Sequence, residues 1–205
     1  MTKKAIGFLF ATMAIVIGLY PTLYFFLDKK FGLLSTKDNL LFSNTFWNIS
    51  FYAHILLGGF SLLVGWPQFS SKISEKNINL HRNLGKIYVF SALISALASL
   101  YIALYATGGI IPSMGFFCLG ILWFYTTLSA FLSIKKGKIK DHKKMMIYSF
   151  ALCFAAVTLR IWLPLLTMVF NDFITAYRIL AWLCWIPNLL VAFFIVKRLR
   201  TDDKF

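Results

Sequence analysis

The residues with chemistry to offer in this chain are three histidines and two arginines set in or beside long apolar blocks. His81 and His142 each open such a block in basic surroundings, as His81-Arg82 and as Asp141-His142-Lys143-Lys144. A b-type haem between membrane helices needs two neutral imidazoles at equal depth on facing helices, with basic or hydroxyl groups for its propionates. His81 and His142 are candidates for that pair, as axial ligands or as hydrogen-bonding groups to a quinone. Tyr88, Arg82, Lys86 and Lys144 are placed to meet the propionates of haem b. The same two histidines are also a candidate metal site. Histidines at helix starts serve equally as caps, headgroup contacts or pH-sensitive groups. His54 lies roughly 10 Å inside the opposite edge, and Met114 is its one plausible soft partner at that level.

Arg160 and Arg178 define a second candidate site. Every Asp and Glu of the chain falls in a loop or tail. A cation within a span is unfavourable by about 3 kcal/mol or more unless it is compensated. Three outcomes satisfy that cost: reaching outward to lipid phosphates, pairing with Asp172, or holding an anionic ligand. With His54 and Gln68, the two arginines form the candidate ligand- or anion-binding set. Pro164 follows Arg160 by four residues and predicts a kink there, because proline cannot donate to the Arg160 carbonyl. Pro187 predicts the same at the Leu183 carbonyl.

The elements that must position these groups are membrane helices. At 60% hydrophobic and 18% aromatic residues, the apolar blocks exceed the ~18 residues that mark a crossing of the hydrocarbon. They predict an all-α polytopic bundle, one integral membrane domain over 1–205, with six spans at about 5–27, 47–69, 85–106, 110–134, 145–170 and 174–196. The first block is too long for a signal-peptide core and does not end in small residues, so it is expected to be retained. The net charge of +14 does not point to nucleic acid. The basic residues sit between apolar blocks, where they mark cytoplasmic loops and meet anionic lipid. This bias predicts both termini in the cytoplasm of a bacterium, with the chain in its inner membrane. Cys118, Cys153 and Cys184 lie within apolar blocks without CxxC spacing and read as small buried hydrophobes.

Four spans carry a small-and-polar stripe at helical spacing. The stripes are His54, Gly58, Ser61, Gly65 and Gln68; His81, Gly85, Tyr88, Ala92, Ser95 and Ser99; His142, Met146, Ser149, Cys153, Ala156 and Arg160; and Arg178, Ala181, Trp185, Asn188 and Ala192. Small residues let helices approach closely, and polar ones must face protein or a cavity. The stripes predict a shared interior, by packing alone or around a ligand. The first span has the least polar patterning and is expected at the periphery.

His54 with Gly58-Gly59, Gln68-Phe69, His81-Arg82-x-x-Gly85-x-x-Tyr88, His142-x-x-Met145-Met146 and Thr158-Leu159-Arg160 together resemble an uncharacterised bacterial multi-pass membrane family, domain of unknown function 2306. The likeness covers about 47–166. It implies membership and a signature of His, Arg, Gln and Gly positions, without an activity. A topological likeness to the four-helix di-haem cytochrome b561 bundles rests on the diagonal placement expected of His81 and His142.

Three functions follow as expectations. The first is a membrane redox module binding haem or quinone. The second is a transporter or binder of a small anion or lipid, contacted by His54, Arg160 and Arg178. The third is a non-catalytic assembly protein. No Walker loop, nucleophile elbow or HExxH motif is present to indicate an enzyme. Inverted repeats and paired broken helices, the marks of a transporter, are not evident in the sequence.

Overall fold

A computed structural model describes residues 3–27, 32–69, 73 and 76–202. The start of the basic N-terminal segment, Asp28 to Lys30 of the first loop and Ser70 to Lys72 of the basic loop lie outside the described residues. The structure is all-helical, and no strand forms among the described residues. Six helical stretches are long and apolar enough to cross a bilayer: Gly7–Phe25, Thr45–Phe69, Ile78–Ala103, Ile110–Lys135, Ile139–Phe170 and Phe173–Leu199. Large side chains on their outer faces, such as Phe8 (76% exposed) and Met168 (80%), leave far more apolar surface in the open than a water-soluble monomer tolerates. Bilayer hydrocarbon is the medium that suits this surface.

Two compact units divide the chain, Met1–Ile102 and Ala103–Phe205. In the first, α1 (Lys3–Leu19) runs into a 3-10 turn at Tyr20–Phe25, and α2 (Asn39–Phe42) is a single turn. Helix α3 (Thr45–Gly65) is extended by a 3-10 turn at Trp66–Phe69, and α4 is Ile78–Ala103. Asn44 caps α3 by accepting from the Trp47 N–H at 3.0 Å, which satisfies one of the amides that a helix start leaves open. Helix α1 carries the outward face expected of a peripheral span, yet it is pinned tightly to α3. A Cβ on Gly59 would sit 2.5 Å from the Gly18 carbonyl oxygen, so only glycine permits this crossing.

In the second unit, α5 (Ile110–Lys135) and α6 (Ile139–Cys153) form an antiparallel pair. The tight turn between them places Gly137 at φ +70, a conformation that favours glycine. The fifth span continues as α7 (Ala155–Phe170), and the sixth is α8 (Phe173–Leu183) followed by α9 (Ile186–Asp202). Helix α8 packs on α5 and α7, and α9 packs on α6. Gly115 admits the first of these crossings: a Cβ there would lie 2.8 Å from the Ala181 carbonyl oxygen.

The middle of each stripe is buried. Ser61, Tyr88, Ala92, Ser95, Ser149 and Ala181 are fully enclosed. Two of the hydroxyls on these faces bond back to their own helix, Ser61 to the Leu57 carbonyl at 2.8 Å and Ser99 to that of Ala96 at 2.6 Å. Such back-bonding is how a helix carries hydroxyls through a medium that offers no water.

Candidate functional site

The fifth and sixth spans are both interrupted, and the interruptions meet. The fifth breaks at Phe154, ten residues before Pro164. The kink expected at Pro164 is therefore displaced, and α7 passes through that proline as a helix. The sixth breaks at Cys184 and Trp185, just ahead of Pro187. That break follows from proline chemistry, since Pro187 has no N–H for the Leu183 carbonyl and its ring crowds that turn.

A break inside a membrane leaves carbonyl acceptors that must be met by protein. Three side chains meet them here. The Asn188 carboxamide nitrogen donates to the Ala151 carbonyl at 3.2 Å and the Cys184 carbonyl at 3.1 Å, and it also reaches Thr158 Oγ1 at 3.2 Å. The Thr158 hydroxyl donates across the gap to the same Cys184 carbonyl. Trp185 Nε1 donates to the Ala181 carbonyl at 2.8 Å, replacing the backbone donor that a continuous helix would have supplied. The two breaks are thus tied to each other by side chains.

Arg160 lies two residues beyond Thr158, half-buried, and its Nη1 donates to the Ala156 carbonyl at 2.9 Å. The guanidinium is folded back along α7 near the break. Arg178 is exposed, and its Nε donates to the Gly108 carbonyl at 2.8 Å, fastening the turn before α5. Asp172 caps α8 by accepting from the Thr175 N–H at 2.8 Å and the Ile174 N–H at 3.3 Å. Hydrogen bonds from Thr175 hold its carboxyl below the usual range, and the charge of Arg178 adds to this. Of the two arginines, Arg178 is the one placed in the field of Asp172.

His142 stands in the first turns of α6, half-buried, with Nδ1 at 2.9 Å from the Ala130 carbonyl of α5. A carbonyl only accepts, so Nδ1 carries the proton and the neutral ring has its lone pair on Nε2. Deeper on the same face, Thr127 and Ser149 share a buried hydroxyl–hydroxyl bond of 2.7 Å.

In the first unit, His54 and Ser95 clasp α3 to α4. The Ser95 hydroxyl donates to the His54 carbonyl at 2.8 Å, and His54 Nδ1 faces the Ser95 carbonyl at 3.1 Å. With the hydroxyl proton directed to the His54 carbonyl, Nδ1 is again the donor. His81 is met by Gln68, which is buried in the turn after α3. With its amide nitrogen toward His81, Gln68 donates to the ring Nδ1 and to the His81 carbonyl (3.3 Å), and accepts from the Gly85 N–H at 3.3 Å. In that arrangement the neutral His81 ring carries its proton on Nε2. Tyr88 is fully buried and Arg82 exposed. The structure therefore brings Gln68 to His81 and His54 to Ser95. Arg160 and Arg178 are tied to different backbone carbonyls. Among the described residues no group of three or more His, Cys, Asp or Glu side chains gathers as a metal cluster.

A family model described as predicted membrane protein (DUF2306) matches residues 51–196. The chain belongs to this family. No curated protein and no solved structure matches it. The DUF2306 match takes in all three histidines, both arginines and Asn188, and it runs through the sixth span, past the 47–166 expected from the motifs. Helix α1 precedes it.

Within the DUF2306 region, two features escape a reading of the sequence. One is the break at Phe154, which no proline or glycine marks. The other is the meeting of Thr158 with Asn188, residues on different spans. The Trp185-Ile186-Pro187 run was the available signal for the second break. Two buried indole N–H groups, of Trp47 and Trp123, have no acceptor among the described residues.

Proposed function

We propose that this DUF2306 protein is a membrane-embedded binding protein for a small anion, with its site in the second unit beside the facing helix breaks. The observation that carries this is the pair of adjacent interrupted spans, tied by Thr158 and Asn188, with Arg160 two residues along α7. Discontinuous membrane helices are where binding sites of membrane carriers are built, because local backbone there is no longer committed to a continuous ladder. Arg160 supplies the selectivity: a guanidinium in a low-dielectric setting favours a carboxylate or phosphate, which it meets in a planar two-pronged way. Thr158 and Asn188 position the break, and Arg178 steadies the α5 turn. The clustering of Lys and Arg in the loops at Lys135–Lys144 and at both ends supports a bacterial inner membrane as the setting, with both termini cytoplasmic and anionic lipid at that face.

The test uses the full chain in lipid nanodiscs, titrated with benzoate, acetate and inorganic phosphate while thermal stability is followed. At least one anion should stabilise the protein saturably. Arg160→Gln should weaken that by about tenfold or more, as loss of a charged hydrogen bond implies, and Arg160→Lys should weaken it less. If Arg160→Gln responds to anions as the parent does, the proposal fails.

A second function, a redox module holding haem b or a quinone, is favoured by the proton placement of His142. Imidazoles that ligate metals commonly donate Nδ1–H to a carbonyl and offer Nε2, as the Ala130 contact arranges. Purified protein should then show a Soret band that is lost in His142→Ala. A colourless protein with no bound quinone would end this alternative.

A further inference from the structure

We infer that the second unit carries a seat for one anionic phospholipid, in a groove between α5, α6 and α9. The groove is open along one side and has a volume of about 590 Å³; its walls include Leu152, Trp185, Leu189 and Phe193, with Lys144 and Tyr148. That volume falls within the range of sites that take an organic ligand. It does not rest on the anion reading of Arg160, which lines no part of it.

The lining fixes which way a lipid would lie. Lys144 is five residues into α6, about 8 Å from its start, at the basic end of the span. Leu152 and Trp185 stand at the depth of the helix breaks, and Phe193 is eight residues beyond Trp185, about 12 Å back along α9 toward the same basic end. The groove thus runs from a cationic rim to an apolar floor near the middle of the span. A phospholipid has the same polarity over the same length, with phosphate at the interface and an acyl chain below it. Tyr148, one turn deeper than Lys144 on the same face, sits at the level where the glycerol esters would pass.

Charge decides among apolar occupants. Lys144 is half-buried, and no acidic side chain pairs with it among the described residues. A quinone or a zwitterionic lipid brings no net charge to it, and a helix from another protein would cover it at the cost of desolvation. A phosphate of net negative charge satisfies it where it stands. Lys140, Lys143, Lys197 and Arg198 share that end of the unit and add to the local positive potential.

Trp185 makes the seat readable, because brominated acyl chains quench an indole they touch. The full chain is reconstituted in nanodiscs of phosphatidylcholine doped with brominated phosphatidylglycerol or, separately, brominated phosphatidylcholine. Trp185→Phe, measured alongside, isolates the Trp185 signal. Brominated phosphatidylglycerol should quench Trp185 at about five-fold lower mole fraction than the choline lipid, the worth of one lysine beside an anionic headgroup. Lys144→Gln should abolish that preference, whereas Lys144→Arg and the remote Lys136→Gln should keep it. Equal quenching by the two lipids, or a preference that survives Lys144→Gln, would overturn the inference. Should Lys144→Gln fail to fold, the Lys144→Arg result and the parent's lipid preference still decide it.

Discussion

A carboxamide in hydrocarbon must find acceptors within reach, and Asn188 finds two backbone carbonyls and a hydroxyl. Removing it strands the Ala151 carbonyl and leaves Cys184 with Thr158 alone. Asn188→Leu should therefore destabilise the protein by about 1–2 kcal/mol, toward the upper end of polar contacts measured in membranes. Thr158→Val should cost less, about 0.5–1 kcal/mol, since the Cys184 carbonyl keeps Asn188. The two changes share an acceptor, so the double variant should not be the sum of the singles. Unfolding by a denaturing detergent against a mild one reads all three. Asp172 gives the pH dependence of the unit. Its folded carboxyl titrates below the unfolded value because Thr175 and Ile174 donate to it. The stability it adds is present above the ordinary carboxylate pKa of about 4 and fades as pH falls through the lower folded value. Asp172→Asn should remove that acid-side slope, with the parent the more stable at neutral pH and the two converging in acid, as thermal melts across an acid series would show.

At the scale of elements, close crossings are decided by single glycines. Gly115→Leu would drive a side chain into the Ala181 backbone of α8, and overpacking of this kind costs about 1–3 kcal/mol. The same substitution at Gly7, where nothing lies within 4 Å of a Cβ, should be close to neutral, which controls for loss of glycine itself. Thermal stability in detergent compares the two. The spans were legible because length and apolarity alone decide them, and so were the buried stripes, because a helix repeats on a fixed period. The break at Cys184 was half legible through Pro187. That at Phe154 was not, for a tertiary reason: the Ala151 carbonyl can lose its helical partner only because Asn188, thirty-seven residues away, replaces it. Pro164 misled because a membrane helix can run through a proline without breaking, as α7 does.

For the molecule as a whole, the charge pattern predicts sides. The turn at Lys136 and the turn at Ala106 are at opposite ends of α5. Lys136→Cys and Ala106→Cys should label with an impermeant maleimide from opposite faces of right-side-out and inverted vesicles, with Lys136→Cys reporting the cytoplasmic face. Labelling of both from one face would refute the six-span count. The candidate site was less legible than the topology. Composition announces that Arg160 and the histidines lie in unusual places, but which carbonyl each faces depends on helix rotation, as with His142 on Ala130 and Gln68 on His81. The tie between Ala151, Thr158, Cys184 and Asn188 has a mechanical consequence. Each of these two spans is a pair of rods joined by side-chain rivets where an unbroken helix would have its own ladder. To flex there, the chain has only to swing a few χ angles, with every turn of helix above and below left wound.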